Sequence, residues 1–470
     1  MPDFFKKNYF PFIFLFAFVF ISRLPFLSAG YGIEEDSWAI ALAAFHTKLM
    51  GVYEPSRLPG HPFQELIYSA LWGSGCYVFN ALCALFSAIG VLFFALILKN
   101  LQFKQYLLAA ITFAFVPVYF ISSTYTIDFV WTQALILIAF YCLLKNRLLW
   151  CGIFLGLAIG CRITSGVMLL PFMIIYWQSN FKTNLVNLLK MVIPMGVVAV
   201  LLFLPVILIF GSNFFMYYDQ FPYPPFPKVM YKITIGVFGL IGTLSLFFFS
   251  IWFFINRKKW QRGEGFNYPL DKKIIITCYV IISLYIISYF RLPQKSGYMI
   301  PTIPFIILLF GYYLNKKSFT YLCLSLFISS FLFSINLTDA FRGSTHSKYA
   351  AVFTVAKQEI FLDPFSGPIF SDYSKRKQKI QFTEQVIEKV NAMPARAVVI
   401  AGWWFNEILV TSIDRPANRL VIYESYIDEA KLKDYQEKKY EIFYLPEQNV
   451  YNDLMFKINV TDQFAKPFIE

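Results

Sequence analysis

The sequence predicts a polytopic α-helical membrane protein, with about 11 transmembrane helices and a small α/β domain at its C-terminus. Hydrophobic residues make up 58% of the 470 positions and charged residues only 15%, whereas soluble domains carry about 25% charged residues. Long apolar runs fill residues 1–336, and after Ile335 the composition changes abruptly to that of a water-soluble protein. We therefore expect a transmembrane domain over residues 1–336 and a soluble domain over residues 337–470.

Eleven apolar runs come near the length of about 20 residues that crosses a bilayer as a helix. Arg162 interrupts residues 148–177, and the charges of the later loops favour two short spans there over one long span. The first run has no small-residue cleavage site, which favours a retained anchor over a signal peptide. The runs are Tyr9–Leu27, Trp72–Leu98, Tyr106–Ser122, Phe129–Leu144, Leu148–Cys161, Ile163–Trp177, Met191–Phe210, Ile233–Ile255, Ile274–Phe290, Tyr298–Leu314 and Phe319–Ile335.

Basic residues predict the orientation, because cytoplasmic loops concentrate Lys and Arg. Residues 1–336 hold 24 basic and 10 acidic groups, whereas residues 337–470 are nearly neutral, with 17 and 18. With Lys6 and Lys7 in the cytoplasm, 16 of those 24 basic groups lie inside and seven of the ten acids lie outside. Eleven crossings then place the C-terminal domain in the periplasm of a bacterial inner-membrane protein, or in the lumen of the endoplasmic reticulum in a eukaryote. Because the basic groups occupy short loops between apolar runs, the expected partner is the lipid bilayer and not a nucleic acid.

The C-terminal domain shows alternating helix and strand signals. Helical periodicity covers Gln378–Met393, and a β-rich run follows at Ala397–Ala401,. A strand at Leu420–Tyr423, a helix at Asp428–Lys438 and a strand at Tyr440–Leu445 complete the pattern,. Helices that alternate with short strands predict a small α/β layer.

The first outer loop, residues 28–71, carries the strongest candidate for a functional site. Glu34, Glu35 and Asp36 stand side by side there, although residues 1–336 contain only ten carboxylates. A charge at the edge of a bilayer is costly to keep, so an acidic cluster in that place indicates function. Apolar positions on one helical face predict an interfacial helix over Asp36–Met50. The alternative role for Asp36 is to cap that helix.

The segment Tyr53–Pro62, Tyr-Glu-Pro-Ser-Arg-Leu-Pro-Gly-His-Pro, follows the acidic cluster in the same loop. Together with Gly156–Thr164 and Leu292–Pro301, it resembles the GT-C superfamily of polytopic glycosyltransferases, which use polyprenyl-phosphate-linked sugars. The resemblance covers about residues 5–335. Within the superfamily it is to the bacterial branch related to protein O-mannosyltransferases and aminoarabinose transferases.

The resemblance implies a transferase that moves a sugar from a polyprenyl phosphate to an acceptor hydroxyl on the extracytoplasmic face. Inversion at the sugar carbon is expected, without a bound cofactor or metal. The catalytic base of the family is an acid of the first outer loop, which corresponds here to Asp36 or Glu35, with Asp36 preferred. Asp128 in the second outer loop corresponds to a supporting acid, and a helix N-cap is the equal alternative. The partners are then the lipid-linked sugar and an acceptor protein, lipid or glycan.

Positive groups must hold the departing phosphate as its charge develops. Arg162 interrupts an apolar stretch and needs a partner, unless it reaches the lipid headgroups instead. Arg291 and Lys295 lie outside against the orientation rule, with ordinary headgroup contact as the alternative, and Tyr298 belongs either to the site or to the aromatic belt. The candidates for binding the donor phosphate are Arg57, His61, Arg162, Arg291, Lys295 and Tyr298.

Two other functions are compatible with many membrane spans. A polymerase or ligase of surface glycans would favour a large late loop over an acidic first loop, and a transporter would scatter polar residues at mid-span. The three histidines are far apart in the sequence and form no metal-ligand motif,. All seven cysteines lie in or beside apolar runs, which favours apolar packing over disulfides,.

Overall fold

The computed structural model shows a helical bundle with a layer of helices and strands at one end. Lys6, Lys7 and the basic loop at residues 257–262 lie outside the described part of the chain. The structure describes residues 9–177, 181–211, 223–256, 263–337, 349–355, 358–445 and 466–468.

Fifteen described α-helices precede the first strand. Short 3₁₀ segments at Leu24–Phe26, Ile163–Met168 and Ser296–Thr302 join some of them. The α-helices are α1 (Phe10–Ile21), α2 (Glu35–Met50), α3 (Pro62–Ala70), α4 (Gly75–Asn100), α5 (Tyr106–Ala114), α6 (Pro117–Ser122), α7 (Phe129–Leu144), α8 (Leu148–Cys161), α9 (Leu169–Tyr176), α10 (Phe181–Phe210), α11 (Phe226–Ile233), α12 (Ile235–Asn256), α13 (Lys272–Arg291), α14 (Ile303–Tyr313) and α15 (Lys316–Ile328).

The polytopic helical character that the sequence predicts is confirmed. Each of the eleven apolar runs contains helix, while the number of eleven crossings stays a prediction. Five helical stretches among the described residues are long and apolar enough to cross a membrane. They are Gly75–Asn100, Lys182–Phe210, Ile235–Asn256, Lys272–Arg291 and Ser296–Tyr313.

Several of the predicted runs differ in the structure, and two of the differences have a clear cause. The run Tyr106–Ser122 is broken, because α5 ends at Ala114 and α6 begins at Pro117; a proline lacks the backbone donor that a continuous helix needs there. The run Phe319–Ile335 is wrong at its C-terminal end. Its helix, α15, stops at Ile328, and the residues from Ser334 onward pair as a β-strand instead.

Residues 148–177 form a hairpin that goes out and returns. α8 ends at Cys161, and the extended backbone of Arg162 breaks the helix. The segment then returns, since the Tyr176 hydroxyl donates to the Leu143 carbonyl at 2.7 Å, next to the turn between α7 and α8. Lys273 also donates to the Trp177 carbonyl at 2.7 Å. The stretch therefore folds back on itself at Arg162, and two crossings of the membrane there stay a prediction.

The loops predicted to be cytoplasmic meet at one end of the bundle. Asn80, near the start of α4, donates to the Gly30 carbonyl in the first outer loop at 2.8 Å. α4 has 26 residues and so extends about 39 Å to the other end, where the Lys104 amide donates to the Gly265 carbonyl at 2.9 Å. The first outer loop and these loops therefore lie at opposite ends.

The described residues after α15 form two small sheets and three α-helices. β1 (Ser334–Leu337), β2 (Ala351–Val355) and β3 (Gln358–Asp363) make an antiparallel sheet in the order β1-β3-β2. β4 (Ala397–Ile400), β5 (Val421–Glu424), β6 (Glu441–Tyr444) and β7 (Lys466–Pro467) make a parallel sheet in the order β5-β4-β6-β7. The helices are α16 (Pro368–Asn391), α17 (Phe405–Ser412) and α18 (Glu429–Glu437).

α16, α18, β4, β5 and β6 correspond to predicted helices and strands, whereas α17, β7 and the antiparallel sheet have no counterpart in the prediction. The predicted helix over Gln378–Met393 is the second half of α16, which begins ten residues earlier at Pro368. Val386, Ile387 and Val390 of α16 are buried against the parallel sheet. The two sheets and helices α16, α17 and α18 together are called the C-terminal layer. The proposed boundary at residue 336 falls inside β1, so this strand joins the bundle directly to the C-terminal layer.

Candidate active site

The first outer loop folds so that its three acids face different neighbours. Glu34 precedes α2 with an extended backbone, and the helix ends at Gly51, whose φ of 68° suits glycine,. Glu34, and not Asp36, occupies the N-cap position of α2, and its side chain makes no capping hydrogen bond. Asp36 is therefore not the cap of this helix, and the alternative role for it is wrong.

Asp36 lies between two cations. Its Oδ2 atom accepts a hydrogen bond from Arg57 Nη1 at 2.5 Å and another from Lys295 Nζ. Lys295 also pairs with Glu34. Burial alone would raise the pKa of the Asp36 carboxyl, but Arg57 and Lys295 outweigh it and hold that pKa well below its ordinary value,. Asp36 is thus a carboxylate that stays ionised at neutral pH.

Asp128 forms the second charged centre, with Arg162. Asp128 is fully buried, precedes α7 without capping it, and accepts a hydrogen bond from Arg162 Nη1 at 2.6 Å. Burial opposes ionisation, yet Arg162 lowers the pKa of this carboxyl below its ordinary value. The guanidinium lies over the rings of Phe129 at 4.8 Å and Tyr298 at 4.5 Å from their centroids. Arg162 therefore has a partner within the protein and does not merely reach for headgroups.

The two centres share their neighbours. His61 Nδ1 lies 3.9 Å from Asp128 Oδ2 and 2.6 Å from the Cys161 carbonyl oxygen, and both His61 and Arg57 act electrostatically on Asp36 and on Asp128. We call this group the charged cluster. It consists of Glu34, Asp36, Arg57, His61, Asp128, Arg162 and Lys295.

Two of the predicted site residues lie apart from the charged cluster. Arg291 is exposed at the end of α13 and, among the described residues, has no polar contact with the cluster. Glu35 turns to the C-terminal layer, where its Oε1 atom accepts a hydrogen bond from Asn406 at 3.2 Å. Burial, followed by the charge of Asp36, raises the pKa of Glu35 to about 7.

Glu65, to which the sequence analysis gave no role, organises the segment that carries Arg57 and His61. Its carboxylate accepts hydrogen bonds from the Tyr53 hydroxyl, from the Ser56 amide at 3.0 Å and from the His61 amide at 2.9 Å. Glu65 is itself 1% exposed. The sequence signal for this role was an acid only four residues after His61, in a part of the chain where carboxylates are rare.

Lys232 is a further cation that the sequence analysis did not select. It lies on α11 and donates to the Gln294 carbonyl, next to Lys295. Burial, followed by repulsion from Lys228, lowers the pKa of Lys232 to about 8. The two lysines are four residues apart on a short amphipathic helix, which was the signal for a basic face near the cluster.

The described part of the chain contains no obvious binding site for a metal ion. No group of three or more His, Cys, Asp and Glu side chains lies close enough there to hold a metal ion. The carboxylates of the charged cluster face Arg and Lys instead. The expectation that neither metal nor cofactor takes part stays a prediction.

Comparisons with known proteins give one kind of match. No protein-family model matches the sequence, and no curated protein matches it significantly. The fold is similar to the crystal structure of ArnT from Cupriavidus metallidurans in the apo state, with 11% sequence identity, a TM-score of 0.51, and coverage of 97% of this chain and 88% of that one. A second structure, ArnT from the same organism bound to undecaprenyl phosphate, matches with 10% identity, a TM-score of 0.49, and coverage of 97% and 89%.

At 11% identity the likeness to ArnT in the apo state is a likeness of fold. ArnT is an aminoarabinose transferase with the GT-C fold. The sequence resemblance and the structure thus agree on the fold, and the fold together with the apolar helices indicates a multi-pass integral membrane protein.

Proposed function

We propose that the protein is an inverting glycosyltransferase, which moves a hexosyl or pentosyl group from a polyprenyl phosphate to an acceptor hydroxyl at the extracytoplasmic face. The observation that carries the proposal is the contact of Asp36 with both Arg57 and Lys295, at the end of the bundle opposite the basic loops. The fold shared with ArnT supports the same function.

The chemistry requires a base and an anion-binding group close together. The acceptor oxygen attacks C1 of the sugar, the bond from C1 to the phosphate oxygen breaks, and the polyprenyl phosphate leaves with the bonding electrons. The hydroxyl proton passes to a carboxylate. Attack from the face opposite the phosphate inverts the configuration at C1.

The charged cluster provides both groups. Arg57 and Lys295 donate hydrogen bonds that suit a phosphate, and charge-assisted bonds of this kind are strong when partly shielded from water. A donor phosphate that accepts these bonds would draw both cations from Asp36. The carboxylate is then released where the reaction needs a proton acceptor, and its basicity rises as its cationic partners turn to the phosphate.

Asp36 is the better assignment for the base than Glu35. The Glu35 carboxylate faces Asn406 of the C-terminal layer, whereas Asp36 faces the cations that would bind the donor. Asp128 supports the site by fixing Arg162 at 2.6 Å, and Tyr298 lies under the same guanidinium. Arg162, Lys295 and His61 complete the donor-phosphate group in this proposal.

The test is a transfer assay in proteoliposomes with the purified protein and a radiolabelled polyprenyl-phosphate sugar. The proposal predicts consumption of the donor, release of polyprenyl phosphate, and label on an added acceptor with inverted configuration. A transporter would move solute without consuming the donor, and a glycan polymerase or ligase would require a pre-assembled glycan. Either of those results would replace the proposed function.

A further inference from the structure

The C-terminal layer reaches the acidic loop through one face of α16. Lys379 on this face is 4% exposed in its side chain and pairs with Glu407 of α17 at 2.8 Å, which is itself 1% exposed. The same Nζ atom donates to the Ile33 carbonyl at 3.0 Å. Ile33 immediately precedes the three acids. Lys379, a buried cation of the C-terminal layer, therefore holds the backbone just before the acids of the first outer loop.

One turn earlier on α16, Arg376 holds the other acid-bearing loop. Its Nη1 atom donates to the Thr124 carbonyl at 3.0 Å and its Nη2 atom to the Thr124 hydroxyl at 3.0 Å. The Thr126 amide in turn donates to the Tyr31 carbonyl at 2.8 Å. The loops that carry Asp36 and Asp128 are thus fixed to each other and to α16.

α17 supplies a further contact, because Asn406 donates to Glu35 at 3.2 Å. Glu35 and Asp36 are neighbours on a helix, where consecutive side chains point about 100° apart. Holding Glu35 towards the C-terminal layer therefore sets the direction of Asp36 towards Arg57 and Lys295.

We propose that Lys379 and Asn406 are positioning residues, which act through Ile33 and Glu35 to fix the direction of Asp36. The inference rests on the proposed function, because it assigns these residues a part in transfer. The Lys379–Glu407 pair supports it. A buried ion pair contributes little net stability compared with an apolar pair, so two buried charges at this place are better explained by the geometry that they impose.

The test compares the double variant Lys379→Met/Glu407→Gln, which leaves no unpaired charge behind, with the single variant Asn406→Leu. We expect kcat to fall about 10- to 100-fold, because small misplacements of a catalytic group cost that much, while the donor KM changes less than about twofold. Hydrogen–deuterium exchange should become faster at residues 30–37 only. The matched control is Glu384→Gln/Arg415→Gln, which removes the exposed ion pair between α16 and the end of α17 and should change neither quantity.

Two results would overturn the inference. One is unchanged kcat together with unchanged exchange at residues 30–37. The other is faster exchange throughout residues 358–445, which would mean that Lys379 and Glu407 serve only to fold their own layer. If the wild-type protein consumes no lipid-phosphate sugar at all, the proposed function fails. In that case hydrogen–deuterium exchange at residues 30–37 alone decides whether Lys379 and Asn406 position the first outer loop.

Discussion

Asp128 and Arg162 are 34 residues apart in the chain, yet the carboxylate and the guanidinium meet at 2.6 Å. Asp128 ends the loop before α7, and Arg162 occupies the break between α8 and the 3₁₀ turn that follows it. The pair therefore closes the outer end of the hairpin against the neighbouring helix. It also faces His61, so the same contact connects the first outer loop to the helical bundle.

Replacing Asp36 by Asn should abolish transfer. The amide has nearly the same shape but accepts no proton, and general base catalysis contributes about 10²- to 10⁴-fold. Initial transfer rates and the yield of folded protein in the membrane measure the effect. Glu34→Gln is the matched control. It removes one partner of Lys295 but leaves Asp36 in place, and should retain most of kcat. Full activity of the Asp36→Asn variant would move the base elsewhere.

Removing Arg162 alone should destabilise the protein more than removing the whole pair. Arg162→Ala leaves Asp128 buried without its cation, which costs about 3–5 kcal/mol for a buried pair. Asp128→Asn/Arg162→Gln leaves no lone charge and should cost less. Both should raise the donor KM by about tenfold or more if Arg162 binds the phosphate. Unfolding in detergent and donor titration measure these effects, and an unchanged donor KM in the double variant would remove Arg162 from the site.

The sequence predicted the residues of the site better than their pairing. Arg162 was found because a charge inside an apolar run needs a partner, and the acids of the first loop because carboxylates are rare in residues 1–336. The ion pair of Lys295 with Glu34 joins residues 261 positions apart, and no local pattern encodes such a contact. The contact of Asn406 with Glu35 depends in the same way on how the C-terminal layer docks.

The same distinction applies to the fold. The continuous apolar runs located α7 and α8 to the residue, because burial in lipid or protein dominates those helices. Short strands are less visible. β1 continues an apolar run and becomes a strand only by pairing with β3, which is a long-range event that composition does not reveal.

Stability should depend on pH through Glu35. Its pKa rises from 4.5 to about 7 on folding, so the folded state binds the extra proton and this contribution to stability is lost as the pH rises from about 4.5 to about 7. The full shift corresponds to about 3 kcal/mol. Because the side chain is partly exposed, we expect about 1 kcal/mol.

Melting of the wild type and of Glu35→Gln between pH 5 and pH 8 tests this dependence. In Glu35→Gln, stability should fall less steeply as the pH rises. In Glu54→Gln, a substitution in the same loop, stability should fall as it does in the wild type. Asp36 does not interfere. Its lowered pKa means that its contribution is complete above pH about 4 and is lost only in stronger acid. An identical pH dependence in wild type and Glu35→Gln would contradict the prediction.

Cysteine labelling tests the orientation of the bundle. In a Cys76→Ala background, Glu54→Cys and Lys431→Cys should react with an impermeant reagent from outside intact cells. Glu264→Cys should react only after permeabilisation, because its loop lies at the end with the basic groups,. Reaction of Glu54→Cys and Glu264→Cys from the same side would contradict both the topology and the proposed function.

Gly297 provides the sharpest test of packing beneath the cluster, because a Cβ atom there would lie 2.3 Å from a carbon of the Phe129 ring. That ring supports the Arg162 guanidinium at 4.8 Å and contacts Tyr298 edge-on at 5.9 Å between centroids. Gly297→Ala therefore has to displace the ring, and overpacking of this kind costs about 1–3 kcal/mol.

The displacement should also reach the chemistry, because Phe129 directly follows Asp128 in the chain. We expect kcat to fall about 10- to 100-fold in Gly297→Ala, as for other small misplacements of a catalytic group. Gly196→Ala is the control. In the described part of the chain, no atom beyond its own helix backbone lies within 4 Å of a Cβ atom there, and alanine in the helix interior should stabilise by up to about 1 kcal/mol. If Gly297→Ala keeps wild-type activity and stability, the Phe129 ring is free to move, and the position of Arg162 does not depend on that ring.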